Sequence, residues 1–156
     1  TGVQALDLLG RKVLLNKGAL LTKYMRQVYQ DIFAVATQHG RLRWHALSLF
    51  RYTAQWSYVM ARLMLQASRD REVVSSSAVD FMMFGGYVTM AHHWLKMMAV
   101  ADTKLSKGGA APRDFYEAKL HTSTFYFHNI LPRAQGNRKA MLSGSSTVMK
   151  MPNDSF

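Results

Sequence analysis

Apolar residues recur at three- and four-residue steps through residues 72–104, without proline or regular alternation. This spacing is typical of an α-helix. The positions that carry it are Val74, Ala78, Phe81, Met82, Gly85, Val88, Met90, Ala91, Leu95, Met98 and Val100. They cover nearly the whole circumference, and a helix that is apolar all round lies inside a bundle or a membrane. A membrane span needs roughly 20 nearly uncharged residues, whereas Asp80, His92, His93 and Lys96 interrupt this segment. The pattern therefore predicts the central helix of a bundle.

Shorter amphipathic patterns predict further helices on both sides of the central one. They cover residues 1–16, 19–38 and 42–68 before it, then a helix that ends near Pro132 and a short helix at 133–142. A flexible loop is expected at 106–112, which contains two glycines and a proline. No alternation typical of strands is present, so the predicted fold is all-α, a bundle of about five to six helices.

Several residues are predicted to end or orient these helices. Asp70 and Asp114 are expected to cap the helices that follow them, because a carboxylate accepts from free N–H groups in the first turn. Gly40 is expected to end the second helix at the position where glycine is favoured. Leu20 and Phe50 are assigned to the inward faces of their helices.

Gly85 and Gly86 stand together inside the predicted central helix. A glycine in a helix interior costs about 1 kcal/mol relative to alanine, so a compensating gain is expected. The pattern favours a close crossing by a neighbouring helix, since no Cβ separates the two backbones. A bend that opens a ligand cleft is the alternative.

The composition indicates one domain with a sizeable core. The chain has 156 residues, 49% of them hydrophobic, with 11 Met and no Cys. The absence of cysteine excludes disulfides, thiolate zinc sites and cysteine nucleophiles. No signal peptide is recognised at the start, and the missing initiator methionine leads us to expect a processed product or a fragment.

The formal net charge of +11 suggests an anionic partner, yet the basic residues are scattered at helical spacing. None of the common motifs that read DNA or RNA is present. A basic, solvated surface is the favoured interpretation. A cofactor phosphate, an anionic membrane or an acidic protein is the alternative.

No active site or metal site emerges from the motifs. His92 and His93 point about 100° apart on a helix, and no carboxylate follows either at three or four residues, so a structural role is favoured. His121 and His128 lack a third metal ligand between them. The serines at 75–77 are expected to make polar contacts at a helix start, with phosphate binding there as the alternative.

Several segments, taken in order along the chain, resemble one known family. They are residues 1–12 (TGVQALDLLGRK), 77–82 (SAVDFM), 85–88 (GGYV), 114–120 (DFYEAKL), 125–127 (FYF), 130–133 (ILPR), 146–149 (STVM) and 153–156 (NDSF). They are similar to the flavin-dependent acyl-CoA dehydrogenases, in particular to the larger, mainly bacterial members that carry an additional C-terminal helical domain.

The resemblance implies an enzyme that oxidises an acyl-CoA to its 2,3-enoyl-CoA and passes a hydride to FAD, as in fatty acid β-oxidation. Residues 1–16 would be the last helix of the catalytic domain. Residues 17–156 would be the appended domain, at a subunit interface or over the acyl end of the active site. The rest of the polypeptide, a homodimer or higher homo-oligomer, and the acyl-CoA substrate are the implied partners. The implied location is the bacterial cytoplasm, or the mitochondrion of a eukaryote.

The same resemblance assigns the site residues. The catalytic glutamate would lie just before Thr1, and neither Glu72 nor Glu117 matches it, so no catalytic residue is expected in this chain. By position, Thr1, Gly2, Val3 and Gln4 would approach the flavin. No metal ligand is expected. The chain alone is therefore predicted to be inactive and to bind FAD weakly or not at all.

The alternative function is a non-catalytic helical docking module. It would bind a protein partner or an anionic membrane through the basic, Met-rich surface. A nucleic-acid binder is the least favoured hypothesis, because the basic residues are scattered and no motif that reads DNA or RNA is present.

Overall fold

A computed structural model describes residues 2–14 and 17–146 as an assembly of helices without strands. The six α-helices in this part of the chain are α1 (Gly2–Leu6), α2 (Ala19–Gln38), α3 (Arg43–Ala67), α4 (Glu72–Lys107), α5 (Arg113–Phe125) and α6 (Ala134–Leu142). A π-helical segment, Asp7–Leu14, continues α1, and a 3₁₀ turn, Gly40–Leu42, precedes α3. The predicted all-α bundle is confirmed. The expected C-terminal tail beyond residue 146 lies outside the described residues.

Helix α4 is the centre of the bundle, as predicted, and it contacts all five other α-helices or their extensions. It has 36 residues, which corresponds to about 54 Å at about 1.5 Å per residue. Phe81, Phe84, Leu95 and Met98 on α4 are almost completely buried. The expectation that α4 is covered all round is wrong, because one face, which includes Val100, remains exposed.

Gly85 marks the close crossing of α3 and α4. A Cβ at Gly85 would lie 2.6 Å from Cζ2 of Trp56, closer than two carbon atoms can pack. The Trp56 indole therefore occupies the space that a side chain would need, which confirms the predicted helix crossing. Gly86 differs, since a Cβ there would meet nothing within 4 Å.

The link between the first helix and α2 is a tight turn with unusual backbone angles. Lys17 and Gly18 have φ values of 50° and 71°, in the left-handed region. The N–H of Gly18 donates to the carbonyl of Val13 at 2.8 Å. The predicted helix break at Lys17 and Gly18 is confirmed, and the turn lets Ala5 and Leu9 pack at 0% exposure beside α4.

Of the three predicted end signals, those at Asp70 and Gly40 are confirmed and the one at Asp114 is wrong. Asp70 accepts a hydrogen bond of 2.9 Å from the N–H of Glu72 at the start of α4. Asp114 makes no capping bond, because α5 begins at Arg113, one residue earlier, directly after Pro112. Pro112 therefore occupies the N-cap position, and Asp114 lies inside the first turn, where its carboxylate interacts favourably with the helix dipole without capping a free N–H group.

Gly40 directly follows the C-cap residue His39, at the position predicted for it, although its φ is not in the left-handed region. It opens the 3₁₀ turn, while His39 ends α2 with φ −125° and donates its N–H to the carbonyl of Val35. Two residues assigned to inward faces are instead exposed: Leu20 at 64% and Phe50 at 49%. The bundle covers only one side of α2 and α3, so apolar residues at the edge of each stripe face solvent.

Pro132 lies where the last long helical stretch changes course. The π-helical segment Tyr126–Ile130 and the 3₁₀ turn Leu131–Arg133 connect α5 to α6. Proline removes a backbone donor and crowds the preceding turn, so the regular hydrogen-bond ladder cannot continue through it. The predicted break at Pro132 is confirmed, and Phe127 and Leu131 beside it are buried in the core.

Candidate functional site

The segment assigned to the flavin is an exposed first helical turn. Gly2, Val3 and Gln4 all lie in α1 and are exposed, with Val3 at 82%. Thr1 lies outside the described residues. Ala5 is buried beside α4 and holds this turn against the bundle. The side of the turn that carries residues 2–4 faces solvent. Its contact with a flavin remains a prediction.

A buried polar network is centred on His92, which is 3% exposed on the inner face of α4. Its Nε2 lies 2.7 Å from Oδ2 of Asp31, and its Nδ1 lies 3.1 Å from the hydroxyl of Tyr24. Both partners belong to α2. The Nζ of Lys96 lies 3.9 Å from the same carboxylate, and Gln27 donates to its other oxygen at 3.0 Å.

The protonation states of this network follow from burial. Burial raises the pKa of Tyr24, so its hydroxyl keeps its proton and donates to Nδ1 of His92. Burial lowers the pKa of His92, against the opposing effect of Asp31, so the ring is neutral and its Nε2–H donates to the carboxylate. Partial burial would raise the pKa of Asp31, but hydrogen bonds from His92 and Gln27 outweigh it and hold that pKa below its ordinary value.

This arrangement joins two helices rather than presenting a reactive group. Both ring nitrogens of His92 are occupied, and the side chain is only 4% exposed. A base needs a free nitrogen within reach of a substrate proton, and His92 has none. The expected structural role of His92 is supported, and His93, next to it, faces solvent.

A second polar cluster fixes the corner between α2 and α3 to α4. Nδ1 of His39 lies 2.6 Å from Oδ2 of Asp102, and Arg41 pairs with the other oxygen. Sequence reasoning found no partner for His39, because Asp102 lies 63 positions away. No local pattern marks Asp102 as the partner, since α4 also contains Asp80, Lys96 and Lys104.

A third cluster joins the start of α3 to the π-helical segment after α5. The rings of Trp44 and His128 stack at 4.3 Å between centroids, and His45 meets the edge of Phe127 at 5.2 Å. Burial, together with the neighbouring His128, lowers the pKa of His45. The pairing of His121 with His128 considered from sequence is replaced by this aromatic contact.

The serines at the start of α4 do not converge on one point. Ser75 is exposed, Ser76 donates to the carbonyl of Val73 at 3.2 Å, and Ser77 is buried. Three side chains that point in different directions cannot surround one anion. The phosphate alternative therefore receives no support from the geometry.

Two apolar grooves open on the surface of the bundle. One, of about 570 Å³, lies between α2 and α3 and includes Met25, Tyr29 and Phe33. The other, of about 310 Å³, lies between α4 and α5, where Lys96 and Lys119 border Val100 and Phe115. Neither groove contains a carboxylate or histidine, so both suit packing against an apolar surface better than acid–base chemistry.

Within residues 2–14 and 17–146, no helix is both long enough and apolar enough to span a membrane. No group of three His, Asp or Glu side chains in the same ranges is positioned to hold a metal ion.

The sequence matches the family model described as acetyl-CoA dehydrogenase C-terminal like over residues 21–152. The match covers most of the chain. The chain belongs to this family. The region of this chain that matches the family begins within α2, so α1 lies outside it.

Three curated relatives of this family member are acyl-CoA dehydrogenases. A broad-specificity linear acyl-CoA dehydrogenase of Mycobacterium tuberculosis is 25% identical over 163 residues, covering 100% of this chain and 26% of the relative. A butyryl-CoA dehydrogenase of Syntrophomonas wolfei is 24% identical over 99% of this chain and 25% of its own length. A 3-methylmercaptopropionyl-CoA dehydrogenase of Ruegeria pomeroyi is 25% identical over 84% of this chain and 22% of its own length.

The chain spans about a quarter of the length of the curated relatives it matches. The resemblance seen in the segments at both ends is thereby confirmed at the level of the family. This acetyl-CoA dehydrogenase C-terminal-like chain is a helical domain of the acyl-CoA dehydrogenase family.

Proposed function

We propose that this chain is the C-terminal portion of an FAD-dependent acyl-CoA dehydrogenase that converts an acyl-CoA to its enoyl-CoA. This proposal rests on the alignment with relatives named as acyl-CoA dehydrogenases. The aligned regions cover 84% to 100% of this chain but only 22% to 26% of the relatives. In this proposal the catalytic glutamate and most of the flavin site lie upstream of Thr1.

The proposed division of labour follows the packing. Residues 1–16 end the catalytic domain, and residues 17–156 form the appended domain. The left-handed turn at Lys17 and Gly18 supports a boundary there. The exposed first turn, Gly2 to Gln4, is available to an upstream body, and FAD would be held mainly by that body, because a flavin needs more enclosure than one helical turn supplies.

The remaining parts of the proposal concern partners and place. The appended domain covers the active site or forms a subunit interface of a homodimer or higher homo-oligomer. Exposed apolar residues on several helices support such contacts. The enzyme would act in the bacterial cytoplasm, or in a mitochondrion if the source is eukaryotic.

A first experiment compares the 156-residue chain with a polypeptide extended upstream through the glutamate and the flavin-binding body. The short chain should show no flavin absorbance after purification and no ferrocenium reduction with an acyl-CoA. The extended polypeptide should show both. Turnover by the short chain alone would overturn the assignment of the chemistry to the upstream part.

A second experiment addresses the first helical turn within the extended polypeptide. Val3→Asp should weaken flavin retention, because a carboxylate would be placed beside the proposed cofactor. Leu47→Asp is the matched control, since Leu47 is also strongly exposed, at 64%, but lies on α3. Equal flavin content in both variants would contradict the placement of residues 1–4 at the flavin.

The docking module is the second candidate, and the exposed methionines on α4 favour it. Met83, Met90 and Met97 are 42%, 48% and 38% exposed, and methionine suits adaptable binding surfaces. An upstream sequence without a flavin-binding body would select this candidate over the enzyme.

A further inference from the structure

Eleven positions of α4, ten of them exposed, follow alternating steps of three and four residues along the whole helix, while the exposed Ser75, Lys96 and Ser106 lie beside this line. These eleven positions, called the α4 seam here, are Glu72, Ser76, Val79, Met83, Gly86, Met90, His93, Met97, Val100, Lys104 and Lys107. All are exposed except Ser76, which is half-buried. Alternating three- and four-residue steps are the spacing by which two helices pack along a shared line.

The middle of the α4 seam is apolar over a considerable length. Val79, Met83, Met90, Met97 and Val100 are between 38% and 58% exposed. From the first to the last of them the helix rises about 32 Å at about 1.5 Å per residue. Only Gly86 and His93 separate these apolar positions along the seam, and an exposed apolar strip of this length is typical of an interaction surface.

The apolar positions of the α4 seam are the same when it is followed in either direction from Met90, and its end residues have opposite charges. In an antiparallel pair of α4 helices with a two-fold axis at Met90, every seam position faces its mirror position in the other copy. The facing pairs are Val79 with Val100, Met83 with Met97, Met90 with Met90, Gly86 with His93, Ser76 with Lys104 and Glu72 with Lys107.

The facing residues are also complementary in size: the apolar pairs are equal, and the smallest residue faces a large one. A Cβ at Gly86 would meet nothing within 4 Å, so the helix surface has a depression at this position. His93, its mirror position, is exposed and large enough to fill that depression. Valine meets valine and methionine meets methionine elsewhere, so the apolar pairs are equal in volume.

The charges at the ends select the antiparallel orientation. In that orientation Glu72 faces Lys107, and no ion pair within residues 2–14 and 17–146 already engages either of them. A parallel pair would instead bring Lys104 and Lys107 beside their own copies, and like charges opposite each other are unfavourable. The antiparallel arrangement also opposes the two helix dipoles favourably.

We propose that a second copy of this chain docks on the α4 seam, with the two α4 helices antiparallel and Met90 on the two-fold axis. This inference rests on the proposed homo-oligomer and names its interface. It does not depend on the flavin chemistry. Because each copy carries a net charge of +11, association should strengthen as salt screens the repulsion.

Cysteine cross-linking of the 156-residue chain tests the geometry, because the chain has no native cysteine. Under a glutathione redox buffer, Met90→Cys should form a disulfide-linked dimer. Val79→Cys alone and Val100→Cys alone should link poorly, whereas a mixture of the two should link efficiently. Leu47→Cys, exposed on α3, is the control and should form no disulfide-linked dimer.

Sedimentation of the same chain separates the possible failures. Met90→Asp should weaken dimerisation at least tenfold, and Leu47→Asp should leave it unchanged. A dimer that persists in Met90→Asp and does not cross-link at position 90 would overturn the seam but keep the homo-oligomer. A monomer at all concentrations would overturn both, and efficient linkage by Val79→Cys alone would overturn the antiparallel orientation.

Discussion

Alanine substitutions at Gly85 and Gly86 give a matched pair of variants in the centre of α4. The chemical change is the same and the positions are adjacent, but the surroundings differ. A Cβ at Gly85 would lie 2.6, 3.2 and 3.3 Å from three atoms of the Trp56 indole, whereas a Cβ at Gly86 would have no neighbour within 4 Å. Gly86→Ala should therefore stabilise the chain, whereas Gly85→Ala should be neutral or destabilising.

The magnitudes come from two contributions. Alanine improves on glycine in a helix interior by about 1 kcal/mol at either position. At Gly85 the new methyl group also displaces Trp56, which is 5% exposed and held between the rings of Phe81 and Tyr24 at 6.1 and 6.4 Å. Overpacking of this kind costs about 1–3 kcal/mol. Gly86→Ala should stabilise the chain by about 1 kcal/mol.

The difference between the variants measures the overpacking alone, since the helix-propensity gain is common to both. Urea unfolding followed by circular dichroism should place Gly85→Ala about 1–3 kcal/mol below Gly86→Ala. The measurement needs a low chain concentration, because Gly86 lies in the α4 seam. The smaller ring in Trp56→Phe should reduce the penalty. Gly85→Ala as stable as Gly86→Ala would refute the argument that the indole requires this space.

Three further predictions concern the polar contacts. Tyr24→Phe should lower the free energy of unfolding by about 1 kcal/mol, because Nδ1 of His92 loses its donor. Folding lowers the pKa of both His92 and Asp31, so the unfolded chain binds more protons than the folded chain at acidic pH. The free energy of unfolding should therefore fall on acidification, first below pH 6.5 as His92 is protonated and then below pH 3.8 as Asp31 is protonated. Ser145→Ala should raise the pKa of Asp70 toward 3.8, since the hydroxyl 2.5 Å away lowers it most; NMR titration of the carboxyl measures this.

Controls for these predictions are available in the same chain. Tyr58→Phe removes a hydroxyl from a tyrosine that is 48% exposed on α3 and should leave stability nearly unchanged. Asp31→Asn should reduce the loss of stability that occurs below pH 3.8, because the carboxyl that takes up the proton is absent. A pH profile of unfolding identical in Asp31→Asn and the parent chain would show that this network does not set the acid limit.

The helices themselves could be predicted from the sequence, because each depends on local spacing. Residues 72–104 repeat apolar side chains at helical steps, and α4 is indeed the central helix. Pro132 and Gly18 interrupt the helical hydrogen-bond ladder by their own backbone chemistry. The family resemblance was also present in short segments, and the match over residues 21–152 confirms it.

Which face of each helix is covered could not be predicted, since it depends on the packing of distant segments. The apolar circumference of α4 gave no sign that Val79 and Val100 would be exposed. The partners of the histidines are equally non-local: Asp31 lies 61 positions from His92, and Asp102 lies 63 from His39. Local spacing determines a helix, but only the three-dimensional arrangement of helices decides which side chains meet and which surface is left for a partner.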